Sequence, residues 1–390
     1  MIDFDLVIPT KIFFGKDKEN NVGEIVSNYG YKRVVIVIGQ GSVIKSGLLG
    51  RVTKSLVNSS IEYEVFSGVR ANPTIQDCYK LLDLCRNYKP DLLLAVGGGS
   101  VMDTAKNAAV GYYYDGDSFD FNLHIAKPTK ALPVGVILTI SASGSEMSSS
   151  CVIQNDETGI KQGFNSDFVR PLFAIENPEL TYSVPKVQTA YGVVDMIMHT
   201  FERFMVPSSE VEPADGFALT VLKSVVKVAR RAYKNEQDYD SHATLMLMSS
   251  LSHNDLTNIG KAKIMPLHAL EHCLSGLYPE VAHGAGLAVI FSSWCRYYLK
   301  YDIDKFDELA KNVFGLNNLD KQINGLSAIE EFEKLFKDLH MPRTFKDLGI
   351  ENPDIDKLVS IFSPDGTRMV GHHAKPMDKD VARSIFLGCK

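Results

Sequence analysis

The chain has no apolar run approaching the roughly 20 residues that cross a bilayer, so no transmembrane helix is expected. It has no CxxC pair: its six cysteines stand scattered at 78, 85, 151, 273, 295 and 389. That spacing excludes a Cys-based zinc site and a disulfide framework, and it suggests a reducing, cytoplasmic setting. A net charge of −6 is mild and gives no reason to expect nucleic acid or an anionic membrane as partner. The opening stretch, MIDFDLVIPTKIFFGKD, lacks the basic and apolar regions of a signal peptide. There is no internal repeat, no low-complexity tract and no GxGxxG fingerprint.

What remains is an ordinary globular composition, 45% apolar and 23% charged over 390 residues, enough for two domains with separate cores. The first half alternates strand-like and helix-like segments. KRVVIVI (32–38), IEYEVFSGV (61–69), DLLLAVGGGS (91–100) and ALPVGVILTI (131–140) read as strands, with helical patterns after the second and third. That order predicts a mostly parallel, Rossmann-like α/β sheet with helices on both faces. FDLVIPTKIFFG reads as an extended strand whose Pro9 suits a sheet edge. Around NPELTYSVP the strand signals stop. Helical periodicity then runs through 186–205, 213–234, 241–257, 264–276, 284–300, 304–313, 321–338 and 378–388. The expected organisation is an α/β domain over 1–184 and an all-helical domain over 185–390.

Three small-residue turns follow strands: GQGS (39–42), GGGS (97–100) and TISASGSE (139–146). Glycine there lets backbone N–H groups and a helix N-terminus approach a phosphate. GQGS departs from the dinucleotide fingerprint, because position 44 is Ile. Even so, turns at the ends of parallel strands line the crevice where open α/β sheets bind ligands.

The helical half carries a different chemistry. VVDMIMHTFE places Asp195 and His199 at i and i+4, on one face of a helix and among apolar neighbours. PLHALEHCLSG repeats the spacing with His268 and His272, and YPEVAHGAG brings His283 to the start of the next helix. Charged groups are buried only when paired or bound to metal, and this set of N and O donors suits Fe²⁺ or Zn²⁺. HALEH is not the HExxH of zinc proteases, since its glutamate adjoins the second histidine. The spacing alone does not select which three of the four histidines bind.

Taken together, GGGSVMDTAK, TISASGSE, the Asp195/His199 pair and HALEHCLSGLYPEVAHGAGLA resemble the iron-containing (type III) alcohol dehydrogenases, with butanol dehydrogenase-like members most similar. The resemblance spans nearly the whole chain. It implies a nucleotide-binding domain followed by a metal-binding helical domain, with the active site in the cleft between them. It implies Asp195, His199, His268 and His283 as metal ligands, with His272 facing nicotinamide and substrate. It also implies Gly98, Gly99 and Ser100 at the pyrophosphate, Gly97 and Asp103 among the cofactor-binding residues, Thr139 and Ser143 along the nucleotide, Lys161 at a ribose hydroxyl, and Asn72 and Leu180 lining the cofactor. A homodimer is implied as well. His372 and His373 read as peripheral.

The expected activity is reversible hydride transfer between NADP(H) or NAD(H) and a short-to-medium primary alcohol or aldehyde. The turn after KRVVIVI contains no Asp or Glu from Ile38 to Gly47. NAD-specific sites usually place a carboxylate there. Gly39, Gln40, Gly41, Ser42 and Lys45 suit a 2′-phosphate instead, so NADP(H) is favoured. The alternatives are a glycerol dehydrogenase- or dehydroquinate synthase-like enzyme, or an inert metal or nucleotide sensor. A dehydroquinate synthase needs several basic residues around its substrate, and only Arg203, Lys261 and Lys263 lie near the metal motifs in sequence.

Overall fold

In the computed structural model, which describes residues 1–206, 212–371 and 375–389, the four central apolar runs become strands of one parallel sheet. The strands are β1 (Lys11–Phe14), β2 (Arg33–Gly39), β3 (Glu62–Val69), β4 (Leu92–Gly97), β5 (Val134–Leu138), β6 (Ser150–Asn155), β7 (Ile160–Asn165) and β8 (Phe173–Glu176). Six of them lie in the order β1-β8-β5-β4-β2-β3, while β6 and β7 form a separate antiparallel hairpin. Val34 to Ile38 and Leu92 to Val96 are completely buried, because helices cover both faces of the central strands. The helices of this unit are α1 (Val22–Asn28), α2 (Ser42–Lys45), α3 (Leu48–Asn58), α4 (Ile75–Tyr88) and α5 (Gly99–Gly111). β1 lies at one edge of the sheet, just after Pro9, as its sequence suggests. The hairpin and β8 carry little strand signal: the hairpin is half polar, and β8 is only four residues long, although all four are buried.

The chain runs from β2 outward to β3, then crosses back to place β4 on the other side of β2. The switch point of the sheet therefore lies between the carboxyl ends of β2 and β4. These are the strands that end at Gly39 and Gly97.

The helical unit comprises α6 (Lys186–Met205), α7 (Glu212–Lys234), α8 (Tyr239–Ser252), α9 (Pro266–Leu277), α10 (His283–Tyr298), α11 (Ile303–Leu309), α12 (Lys321–Asp338), α13 (Ile355–Phe362) and α14 (Lys379–Leu387). Residues group by contact into Val7–Val184 on one side, and Pro185–Lys390 with Met1–Leu6 on the other. The first six residues thus depart from the expected 1–184 division; the Ile2 N–H donates to the Gly260 carbonyl at 3.0 Å. α8 stops five residues short of its expected end. Asp255 adopts a left-handed backbone, and the Asn254 side chain accepts the Leu256 N–H, so the chain turns out of the helix. α13 has no counterpart among the expected helices and is capped by Asp354, which accepts the Lys357 N–H at 2.9 Å.

α6 is buried on every side from Gly192 to Met205. Phe201 anchors it, with ring centroids 5.2 Å from Phe291 and 5.9 Å from Trp294. A helix so enclosed holds its few polar side chains in fixed positions.

Candidate metal centre and nucleotide turns

The Asp195/His199 pair on α6 lies at the centre of a cluster. Asp195 Oδ1 is 3.4 Å from His199 Nδ1, 3.5 Å from His268 Nε2 and 3.7 Å from His283 Nε2. Asp195 Oδ1, His199 Nδ1 and His268 Nε2 are buried and make no hydrogen bond. Leaving three such atoms unsatisfied would cost several kcal/mol (about 1–3 each). Two ligands bound about 2.1 Å from one ion at a tetrahedral angle lie about 3.4 Å apart, so the separations fit a shared divalent metal.

Burial pushes the His199 imidazolium pKa well below its ordinary value, and His253, His268 and Arg203 push it the same way. His199 is thus a neutral donor. For His268, burial pulls the pKa down, but the Glu202 and Asp195 carboxylates outweigh it and raise it to about 9, so a metal taken up at Nε2 would displace a proton. His272 stands beside the cluster, half-buried, its ring centroid 6.2 Å from that of His268 and 5.6 Å from that of His283. His372 and His373 lie outside the described residues.

Among the described residues, three that sequence spacing did not single out also stand at the cluster. Glu202, one turn beyond His199 on α6, meets Nδ1 of His268. Glu271, inside HALEH, meets Nδ1 of His283. His253, just past the end of α8, has its ring centroid 4.1 Å from that of His199. The two glutamates carried a signal, since each falls among the apolar positions of a ligand-bearing helix; His253 carried none.

The three basic residues nearest the metal motifs in sequence are engaged within the fold. Arg203 donates to the His199 and Ser252 carbonyls. Lys261 pairs with Asp215 and donates to the Arg203 and Phe204 carbonyls, capping the end of α6. Lys263 pairs with Asp255 at 3.1 Å.

In the α/β unit the small-residue turns sit side by side at the carboxyl ends of β2, β4 and β5. The Thr139 N–H donates to the Gly97 carbonyl at 3.1 Å, tying two of them together. A Cβ at Gly98 would come within 2.5 Å of Ile140 Cγ2, and one at Gly99 within 2.7 Å of Ser143 Oγ, so the third turn packs directly on the glycines. Ser100 lies in the first turn of α5. Gly41 has φ +132°, a conformation that favours glycine, and Ser42 begins α2. Lys161, on β7, donates to the Asn72 side chain at 3.2 Å, and Leu180 lies in the short turn after β8. Asp103 accepts the Ser145 hydroxyl at 2.7 Å and the Val152 N–H at 2.9 Å, so its carboxylate ties the third turn to the hairpin. Below them Lys106 is completely buried, with Nζ within 2.7–3.3 Å of the carbonyl and hydroxyl oxygens of Ser145 and Ser148, and 2.9 Å from the Ser150 carbonyl.

A parallel sheet with glycine turns at its switch point, followed by helices enclosing a histidine–aspartate cluster, defines a class of two-part oxidoreductases. The chain belongs to the iron-containing alcohol dehydrogenase family: residues 9–178 match the model for iron-containing alcohol dehydrogenase, and 189–385 match that for the family's C-terminal part. It is 40% identical over 388 residues to NADH-dependent butanol dehydrogenase A of Clostridium acetobutylicum, covering 99% of each chain. It is 31% identical to the NADPH-dependent aldehyde reductase YqhD of Escherichia coli, again over 99% of each. The crystal structure of a Thermotoga maritima protein named NADH-dependent butanol dehydrogenase A superposes with a TM-score of 0.94 at 33% identity, over 100% of this chain and 99% of that one. The protein is an alcohol dehydrogenase or aldehyde reductase of that family.

Proposed function

We propose that this enzyme interconverts short-to-medium primary alcohols and their aldehydes, using a nicotinamide dinucleotide and one divalent metal, Fe²⁺ or Zn²⁺. The observation that carries the reading is the convergence of unsatisfied buried donor atoms from Asp195, His199 and His268, with His283 alongside. Those four residues would hold the metal. When bound, it supplies Lewis-acid stabilisation of negative charge on the substrate oxygen, worth several kcal/mol. The nicotinamide supplies or takes up the hydride.

The chain's own residues do the positioning. Gly97, Gly98, Gly99 and Ser100 offer close-approaching backbone N–H groups to a pyrophosphate at the start of α5. Thr139, Ser143, Asn72, Lys161 and Leu180 border the same side of the sheet and would line the nucleotide; Asp103 holds their loop. His272, half-buried beside His283, is the group placed to take or return the alcohol proton on its imidazole nitrogen.

NADP(H) is the favoured cofactor, because the turn from Ile38 to Gly47 contains no carboxylate, whereas Gly39, Gly41, Ser42 and Lys45 leave room and positive charge for a 2′-phosphate. The relatives named above include NADH- and NADPH-dependent enzymes, so the reading rests on this chain's own turn. The dehydroquinate synthase-like reading loses ground, since Arg203, Lys261 and Lys263 are each engaged in internal bonds. All six cysteines are unpaired and buried, which fits a reducing cytoplasm. No helix among the described residues is long and apolar enough to cross a membrane. A homodimer, with domains divided near residue 184, completes the reading.

The test is metal analysis of the purified protein together with oxidation of NADPH and NADH by butanal. Asp195→Ala and His268→Ala should each lose metal and turnover while keeping nucleotide binding. Stoichiometric metal in both variants would refute the ligand set, and a metal-loaded enzyme inert toward all short aldehydes would refute the activity.

A further inference from the structure

We infer that Glu202 and Glu271 are paired positioning residues that select which ring nitrogen of His268 and of His283 faces the metal. The inference rests on the ligand set proposed above and adds to it two residues that touch neither metal nor substrate.

Both carboxylates are fully enclosed, with 1% and 0% exposure, where an unpaired charge would be costly. Each ends on the Nδ1 atom of one imidazole, Glu202 on His268 and Glu271 on His283. An ionised carboxylate only accepts hydrogen bonds, so each Nδ1 must carry the proton. When the ring is neutral, as metal binding requires, its lone pair is then on Nε2. In both rings Nε2 is the atom turned toward Asp195 Oδ1, at 3.5 Å and 3.7 Å. The two glutamates thus set the tautomer, fix the ring planes and make the Nε2 donors more basic.

The two supports are built differently. Glu202 comes from α6, and its other oxygen accepts the backbone N–H groups of Leu267 and His268, in the first turn of α9. One side chain therefore caps the free N–H groups of α9 and orients the ligand that α9 carries. Glu271 lies on α9 and reaches His283 at the start of α10. The chain of contacts runs α6 to α9 to α10, so the three ligand-bearing helices are locked to one another through the imidazoles themselves.

This difference makes the glutamine variants informative. In Glu202→Gln the amide must turn its NH₂ either toward Nδ1–H of His268 or toward the N–H groups of Leu267 and His268. Either orientation sets donor against donor. In Glu271→Gln the amide oxygen can still accept from His283 Nδ1–H. The experiment uses the metal-free full-length protein, titrated with Zn²⁺ against a coloured chelator, with melting of the apo form and NADPH binding as controls. Glu202→Gln should bind Zn²⁺ about 10–100-fold more weakly than wild type. Glu271→Ala should lose a similar factor, and Glu271→Gln should recover much of it. NADPH affinity should be unchanged in all three. If Glu202→Gln does not fold, the Glu271 pair still decides the question.

A fall in apo melting temperature with wild-type Zn²⁺ affinity would make the carboxylates merely structural and overturn the inference. Loss in Glu271→Gln as complete as in His268→Ala would make Glu271 a ligand rather than a support, which also overturns it. Wild-type affinity in His268→Ala would instead overturn the ligand set itself, a separate failure visible in that variant alone.

Discussion

Gly284 follows His283 directly, at the second position of α10, and there the helix bearing that ligand packs directly against α6. A Cβ placed there would lie 2.5 Å from the Tyr191 carbonyl oxygen, 2.7 Å from its Cα and 2.8 Å from its Cβ. Two of these are backbone atoms of an enclosed helix, so no rotamer change can relieve the clash. Restoring an ordinary contact of about 3.5 Å requires the start of α10 to retreat by roughly 1 Å. His283 Nε2 stands 3.7 Å from Asp195 Oδ1, and His283 would retreat with the helix. Metal–ligand distances tolerate only about 0.2 Å of error. Gly284→Ala should therefore weaken metal binding while leaving every proposed ligand in place. Overpacking of this kind costs about 1–3 kcal/mol. At about 2–4 °C per kcal/mol for a unit of roughly 200 residues, the melting temperature should fall by roughly 2–12 °C. Calorimetry of the apo protein gives the first quantity and a Zn²⁺ titration the second. A variant that melts within about 1 °C of wild type, below the smallest shift expected, and binds Zn²⁺ equally well would refute the argument from close approach.

Two further variants probe the α/β unit. At Gly39 a Cβ would make only ordinary contacts, 3.6 Å from the Val69 carbonyl and 3.8 Å from Val101, whereas Gly41 at φ +132° resists any side chain. Gly39→Asp is thus the cleaner test of cofactor choice; it should lower kcat/KM for NADPH roughly tenfold or more by like-charge repulsion, and equal or better use of NADH by the wild type would sink the NADP(H) assignment. Lys106→Met would strip five oxygen acceptors of their shared ammonium donor, at about 1–3 kcal/mol for a buried group left unmade; the expected result is a lower melting temperature and weaker NADPH binding, and an unchanged melting curve would show that the 145–150 loop does not depend on it.

Much of the architecture was legible because it depends on short-range repetition. The helical stripe of 186–205 coincides with α6, and the β-branched and leucine-rich runs at 32–38 and 91–97 became β2 and β4. Spacing of i and i+4 was enough to put Asp195 over His199 and His268 over His272 on their own helices, because helix geometry alone sets those distances. The glycines of GGGS announced a close approach whose partners, Ile140 and Ser143, were not visible in the string.

The tertiary structure decided whatever depends on which elements meet. β8, four residues with no periodicity to reveal it, lies between β1 and β5. The strand order, and with it the switch point at Gly39 and Gly97, follows from crossovers that no local window contains. His268 and His283 are brought to Asp195 by the packing of α9 and α10 on α6, while His272, on the same α9 and one turn away, is left at the margin. Glu202 and Glu271 stand in sequence as single carboxylates among apolar neighbours; each meets its partner only when an imidazole from another helix arrives at its oxygen. Sequence periodicity determines what a helix presents on each face, because the 3.6-residue turn is local. Packing between helices determines what those faces meet, because the energy of burying a carboxylate depends on the partner delivered to it.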